Sequence, residues 1–478
     1  MVYALPAQAV DWRFEPRVGA SATYTDNVKQ SSSNPENALI LSVTPGFSLR
    51  SEGSRRIQAS LQYGLTGVTR FGGESDNDLF HNLNATGKAE LVEDFLFLDG
   101  SAHVSQELIS LLGSTADAST NSSNRATVGT YSLSPYIRKR LGTFATGQAR
   151  YTASGAIFEN NVGSNSNVNA FTASLVSGTR FNDFSWGLDY SIRKAENRNA
   201  TNTTFERTSA NVGYALSRKF RVFGSVGQDS NEYLSRTGAD GSSYSLGFGW
   251  TPTRRTSLEA SAGERYFGST YNLSAHHRTR RSNWNVAYAE DVSDVSQFLP
   301  KNGTVYDYLC QNPDGRVILV RDWPFSMPPQ ADCIAFGGTP GVLFDLRRGV
   351  FISKTLRAGV SWGLSRVTYS VNLSDSERLY TADNSEDRTQ SLLASAAYRM
   401  TPQTAVNSSI VLTRIQIPGS LVQTARDDDI LSLSLGLNHR FAEKLNGALT
   451  FRHTQRDSNA ANSNYDENSL TATANMRF

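Results

Sequence analysis

The chain has 478 residues, 38% hydrophobic and 19% charged, with 46 Lys and Arg against 44 Asp and Glu and only two cysteines. A mean hydropathy of −0.39 and the lack of any long apolar run exclude a protein that crosses a membrane by helices. A net charge of +2 offers no concentrated basic face for nucleic acid. A transmembrane β-barrel passes both tests, because alternating lipid-facing and lumen-facing residues keeps the average polar.

Residues 1–9 read MVYALPAQA, and Ala7-Gln8-Ala9 has the small-x-small form of a signal-peptidase site. The expectation is the remnant of a secretory signal, with the mature chain starting near Val10. An ordinary flexible terminus is the alternative.

From Phe14 onward, period-2 alternation replaces any helical periodicity. Phe14, Pro16, Val18, Ala20, Ala22 and Tyr24 fall on one face, and Arg13, Glu15, Arg17 and Ser21 on the other. The pattern recurs in Leu39 to Leu49, Ile57 to Leu65, Trp186 to Ile192, Tyr244 to Trp250, Trp284 to Tyr288, Leu431 to Leu437 and Leu470 to Phe478. Tight polar turns near Glu52, Asp94, Arg140, Asn182, Arg218, Arg254, Arg280, Leu364, Pro402 and Ala442 alternate with longer Asn/Ser/Gly/Asp-rich loops. Most turn-to-turn spacings are about 40 residues, the length of a long hairpin rather than of a propeller blade.

These features predict an all-β fold over 10–478: an antiparallel up-and-down transmembrane barrel of about 22 strands, with 20 or 18 as alternatives, and no plug domain. Short turns then face the periplasm and long loops the exterior of a Gram-negative outer membrane. Tyr244 and Trp250, six residues apart on one face, are about 20 Å apart along a strand, which suits two interfacial aromatic girdles. Trp186/Tyr190, Trp284/Tyr288 and Trp362/Tyr369 repeat the pattern. Pro45, Pro135, Pro252 and Pro402 sit near strand ends, where a lost ladder hydrogen bond costs least. The terminal Phe478, in phase with the apolar face, resembles the strand signal read by the barrel-assembly machinery. Outer-membrane lipid and that machinery are therefore the expected partners.

One spacing, Arg280 to Leu364, is about twice the others. The excess, 293–344, carries Cys310, Cys333 and the run Trp323-Pro324-Phe325-Ser326-Met327. Two cysteines without nearby histidines read as a disulfide in an oxidising compartment. The segment is expected on the extracellular side as a lid or constriction led by Trp323, Phe325 and Met327, or as a stapled surface loop.

No catalytic motif, cofactor site or metal-ligand spacing stands out. His276 and His277 point to opposite faces, and no Ser/His pair of the kind used by outer-membrane acyl hydrolases can be singled out. The lumen-wall candidates are Arg13, Glu15, Arg17, Gln148, Arg150, Asp189, Arg193, Arg399 and Arg452, with Gln58, Gln62 and Arg388 beside them. Mixed charges and neutral hydrogen-bonding groups suit a hydrated passage.

Trp12-x-Phe14-x-Pro16, Tyr24-Thr25-Asp26-Asn27-Val28, Val43-Thr44-Pro45-Gly46 and Phe351-Ile352-Ser353-Lys354 resemble the outer-membrane barrel proteins of the PEP-CTERM/exosortase system. That resemblance implies a setting in exopolysaccharide assembly or export, with exopolysaccharide and periplasmic export proteins as further partners. The leading expectation is a non-enzymatic channel associated with exopolysaccharide. A general porin for small solutes and an outer-membrane enzyme acting on lipid or polysaccharide are the alternatives.

Overall fold

A computed structural model describes residues 10–72, 77–110, 113–114, 120, 123–159, 165–198, 201–236, 238–294, 349–419 and 425–478, and the backbone alone of 305–311, 317–323 and 333–339. The first strands are β1 (Asp11–Thr25), β2 (Ala38–Glu52), β3 (Ile57–Phe71), β4 (Asn77–Val92), β5 (Leu96–Leu108), β6 (Arg125–Leu141), β7 (Ala145–Phe158) and β8 (Ser166–Ser177). The wall continues through β9 (Phe184–Asn197), β10 (Thr203–Ser217), β11 (Phe220–Asp229), β12 (Gly241–Thr253), β13 (Thr256–Arg265), β14 (Gly268–Arg278) and β15 (Ser282–Asp294). Three short strands follow, β16 (Val305–Gln311), β17 (Val317–Trp323) and β18 (Cys333–Thr339). The last seven are β19 (Val350–Gly363), β20 (Val367–Tyr380), β21 (Glu386–Arg399), β22 (Thr404–Ile417), β23 (Arg426–Ala442), β24 (Leu445–Ser458) and β25 (Tyr465–Arg477).

Twenty-two of these form one antiparallel sheet, which closes because β1 pairs with both β2 and β25. Closure leaves no unpaired edge, the condition that lets strands cross a bilayer. Among the described residues no separate plug domain lies inside the barrel. All ten predicted tight turns fall between consecutive strands at one end, the turn end, which also holds both termini of the barrel. The other end, the loop end, carries the longer connections. The alternation is not strict, since Tyr266 and Phe267 alone join β13 to β14. Gly268 follows at φ +120°, a backbone angle that only glycine adopts without strain.

Side-chain parity separates two faces. Tyr244 (56% exposed), Leu246 (73%) and Trp250 (45%) point outward from β12, and their partners across β11 and β13 share that face. Five of the six tryptophans, Trp12, Trp186, Trp250, Trp284 and Trp362, lie on the outer face toward the turn end. A tyrosine girdle faces them from the loop end, and five of its hydroxyls donate to acceptors just above the apolar band. Tyr190 reaches Glu206 at 2.9 Å, Tyr244 reaches Glu264 at 2.9 Å, Tyr131 reaches Asn167 at 3.2 Å, Tyr151 reaches Asn169 at 2.7 Å, and Tyr288 bonds Glu290. Rings in the apolar band with their hydroxyls held in a polar layer mark the membrane boundary.

The small sheet β17-β16-β18 is separate from the wall, and its backbone register sets Cys310 directly opposite Cys333. The backbone of β18 passes within 8 Å, Cα to Cα, of β21 and β22. The side chain of Trp323, and Phe325 and Met327 altogether, lie outside the described residues, as do residues 1–9. Phe478 is on the outer face as predicted, and its backbone N–H donates to Pro16 O at 3.0 Å, fastening the last strand to the first.

Candidate functional site

The inner wall is built from short hydroxyl side chains that pair across strands. Ser21 with Ser42 (2.6 Å), Thr44 with Thr66 (2.9 Å), Ser134 with Thr152 (2.8 Å), Ser225 with Ser245 (2.7 Å) and Ser370 with Ser395 (2.6 Å) all face the lumen. Each pair satisfies both partners locally, so these wall positions are polar without carrying charge.

The nine lumen candidates all carry inward parity. Arg13 pairs with Glu15 at 2.7 Å and with Glu52 at 3.6 Å near the turn end. Arg150 pairs with Asp99 at 2.8 Å and lies 3.9 Å above the Tyr136 ring, while Gln148 stands opposite Arg138. Asp189 accepts from Asn211 at 2.9 Å. Arg17 stands opposite Arg477, Arg399 opposite Ala405 and Arg452 opposite Ser434. The candidates do not converge on one site, and their ion pairs are local. Arg388 is a correction: it shares the outer face with Leu392 and Tyr398 and chelates Asp375 there at 2.9 and 2.5 Å. The strands run past the lipid at the loop end, so the outer face becomes polar too and a polar residue there does not mark the lumen.

Arg193 leads to the feature that sequence reading missed. Its guanidinium binds Asp294 at 2.7 and 3.2 Å, and Thr203 donates to the same carboxylate at 3.4 Å. Arg193 is on β9 and Asp294 on β15, so this pair crosses the lumen rather than following the wall. The next contact along is apolar. Ala126 and Val128 of β6 and Ala156 and Phe158 of β7 form one buried cluster with Phe351 of β19 and Tyr380 of β20, and Ile109 packs against it. Strands β8 to β15 separate β7 from β19 around the wall, so these residues belong to opposite sides. Phe351 is wholly buried.

Farther on, Leu108 of β5 packs with Ile415 and Ile417 of β22 and Ile430 of β23. The β5–β6 connection then continues across the mouth. Arg456 of β24 donates to Gly113 O at 2.7 Å, Arg70 of β3 to Thr120 O at 3.2 Å, and Ser114 to Gln30 at 2.7 Å. Above the seam, Arg236 N donates to Thr381 O at 3.0 Å and Thr381 Oγ1 to Leu234 O at 2.9 Å, tying the β11–β12 loop to the β20–β21 turn.

At the loop end the barrel is therefore flattened and closed along a seam, with β5 to β9 on one side and β15 to β23 on the other. Buried arginine–aspartate pairs flank it. Arg378 holds Asp387 at 2.7 Å, both nearly inaccessible. Asp428, fully buried, accepts from Arg426 at 2.9 Å and from Arg456. Arg265 ties Asp229 of β11 to Asp291 of β15, each at 2.8 Å. Nearby, Tyr233 and Tyr266 share a hydroxyl contact of 2.7 Å, and burial pushes both phenols above their usual pKa, so the pair is a neutral hydrogen bond. Bidentate, desolvated Arg–carboxylate pairs fix one arrangement of the elements that carry them.

The lid expectation placed any constriction in 293–344. Of that segment the described contacts across the loop end include Asp294, which Arg193 binds; the other contacts, such as Phe158 with Phe351 and Leu108 with Ile415, come from outside it. The signal available in sequence was a set of apolar residues on the otherwise polar face: Val128, Phe158, Phe351, Ile415 and Ile430. On the outer face the structure also adds two threonine–imidazole contacts, Thr256 with His277 (2.8 Å) and Thr404 with His439 (2.9 Å). Among the described residues neither imidazole has a carboxylate or amide as a second partner, so neither makes a triad.

No protein-family model matches the chain, and no curated protein matches it. Solved structures do. The FrpB iron transporter from Neisseria meningitidis (F5-1 variant) is 10% identical, with 98% of this chain and 83% of that one covered and a TM-score of 0.52. Its apoprotein form gives 11% identity, 97% and 81% coverage and a TM-score of 0.53. The siderophore receptor PirA from Acinetobacter baumannii gives 9% identity, 98% and 81% coverage and a TM-score of 0.51. At such identities the likeness concerns the fold alone: this chain shares the large β-barrel architecture of those proteins.

Proposed function

We propose that the chain is a non-enzymatic, gated outer-membrane channel that passes, or helps to pass, exopolysaccharide. The observation that carries the gated reading is the seam. A lumen lined with paired hydroxyls is shut at the loop end by the wall's own side chains, so passage requires Phe158 to part from Phe351 and Arg193 from Asp294. A general porin needs a mouth that stands open, and the sealed loop end therefore favours a channel opened on demand. Twenty-two strands give a lumen wide enough for a polymer once the seam parts. Neutral hydroxyls with scattered Arg–Asp pairs suit polyhydroxylated solutes, which exchange hydrogen bonds with the wall as they move.

The exopolysaccharide assignment is supported by the resemblance to exosortase-associated barrels and by this wall chemistry. Iron or a siderophore, after the words 'iron transporter' and 'siderophore receptor' in the names of the structural neighbours, is the competing cargo. A deletion strain decides between them. Loss of surface polysaccharide with growth on chelated iron intact is the expected result. Normal polysaccharide with impaired iron-limited growth overturns the assignment.

A further inference from the structure

The turn end carries an uneven charge that the channel reading does not use. Three consecutive turns each present two adjacent cations: Arg218-Lys219 between β10 and β11, Arg254-Arg255 between β12 and β13, and Arg280-Arg281 between β14 and β15. All six are exposed. No acidic residue stands in these turns. Glu259, four residues after Arg255, is already held by Arg221 at 2.5 Å just inside the rim, and Asp183 stands in the neighbouring β8–β9 turn. The equivalent pair Arg55-Arg56 on the opposite arc is different, because Arg56 is matched by Glu93 at 2.6 Å.

The position of the six cations points to their partner. On each hairpin an outward aromatic stands four residues from a cation: Tyr214 before Arg218, Trp250 before Arg254, and Trp284 after Arg280. These rings are exposed on the outer face. Four residues of a strand tilted near 45° drop about 9 Å, from the edge of the hydrocarbon into the headgroup layer. Cations placed there meet lipid phosphates, and adjacent pairs attract anionic lipid more strongly than isolated ones.

We propose that the arc β10–β15 is a binding face for anionic phospholipid of the periplasmic leaflet, with the three dibasic turns on the phosphates and Tyr214, Trp250 and Trp284 on the acyl boundary. Arg138, Lys139 and Arg140 at the end of β6 form another exposed basic run, so what sets this face apart is three neighbouring dibasic turns, each with its outward aromatic. It stands whether or not the transport reading holds.

The test uses the full chain in nanodiscs of phosphatidylethanolamine with a minority of phosphatidylglycerol, followed by re-extraction in mild detergent and assay of the retained lipid. Wild type is expected to retain phosphatidylglycerol about threefold or more above its bulk share, with the excess falling at high salt. Replacing all six cations by Gln should abolish the excess, while Lys444→Gln on the opposite arc should not. Heat-modifiable gel mobility confirms folding, and pairwise variants such as Arg254→Gln with Arg255→Gln serve if the sixfold variant fails to assemble. No enrichment in wild type, or equal enrichment in the Gln variants, overturns the proposal. So does retention on immobilised polygalacturonate that depends on these six residues while lipid retention does not, because the cations would then belong to a solute path.

Discussion

Arg193 and Asp294 form a two-point ion pair, 2.7 and 3.2 Å, between β9 and β15, with β10 to β14 intervening along the wall. A contact of that kind exists only where a barrel wall folds in on itself. It marks one end of a seam that continues through Phe158 and Phe351 to Leu108 and Ile415.

The pair should act as a latch. Asp294→Ala leaves a largely buried guanidinium without its carboxylate, a change that costs about 3–5 kcal/mol in comparable sites. Proteoliposome swelling should speed up in Asp294→Ala and in Arg193→Ala, and the exchange Arg193→Asp with Asp294→Arg should restore slow swelling. Equal swelling in all four proteins would remove the latch.

Asp428 makes a second prediction, for stability. Its carboxylate is fully buried between Arg426 and Arg456, so Asp428→Asn uncovers two cations at once. The temperature at which gel mobility shifts from folded to unfolded should fall clearly, consistent with about 3–5 kcal/mol for a broken buried pair. An unchanged transition would mean that these arginines are held by something other than Asp428.

The assignment of faces can be checked residue by residue. Leu246 is outward, between Tyr244 and Trp250, and its neighbour Ser245 is inward, bonded to Ser225. Spin labels on Leu246→Cys and Ser245→Cys in bilayers should show opposite behaviour: oxygen relaxes the first, and a water-soluble nickel chelate relaxes the second. The same response at both sites would refute the parity.

Most of the barrel was legible because its rules are local. Alternation fixes faces, and turn chemistry fixes the ten short connections, from Gly53 and Ser54 after β2 to Glu443 and Lys444 after β23. The seam was not legible, because it joins residues more than a hundred positions apart whose meeting depends on how the closed sheet flattens. Phe158 and Phe351 could be placed on the inner face from sequence, but not against each other. Arg388 was misplaced for a different reason. A strand longer than the lipid is thick has polar residues on both faces near its loop end, and there parity of polarity no longer tells inside from outside.

An apolar prediction follows from the middle of the seam. Phe351 is wholly buried against Tyr380, ring centroids 5.6 Å apart, in the cluster that includes Phe158. Phe351→Ala removes about 3–5 kcal/mol of packing in a typical core. Because that packing joins two sides of the mouth, the loss should appear as opening rather than unfolding. Gel mobility should stay that of the folded barrel while a loop-end label at Ala156→Cys becomes reactive to a bulky thiol reagent. Unfolding without a gain in reactivity would contradict this.

The central claim is that the loop end is closed by the barrel's own wall. Single-channel recording of the purified full chain in planar bilayers tests it most directly. Wild type should be closed for most of the record, and Phe158→Ala with Phe351→Ala should give long-lived openings of large conductance. A wild type that stands open at the same conductance as the double variant would contradict the account.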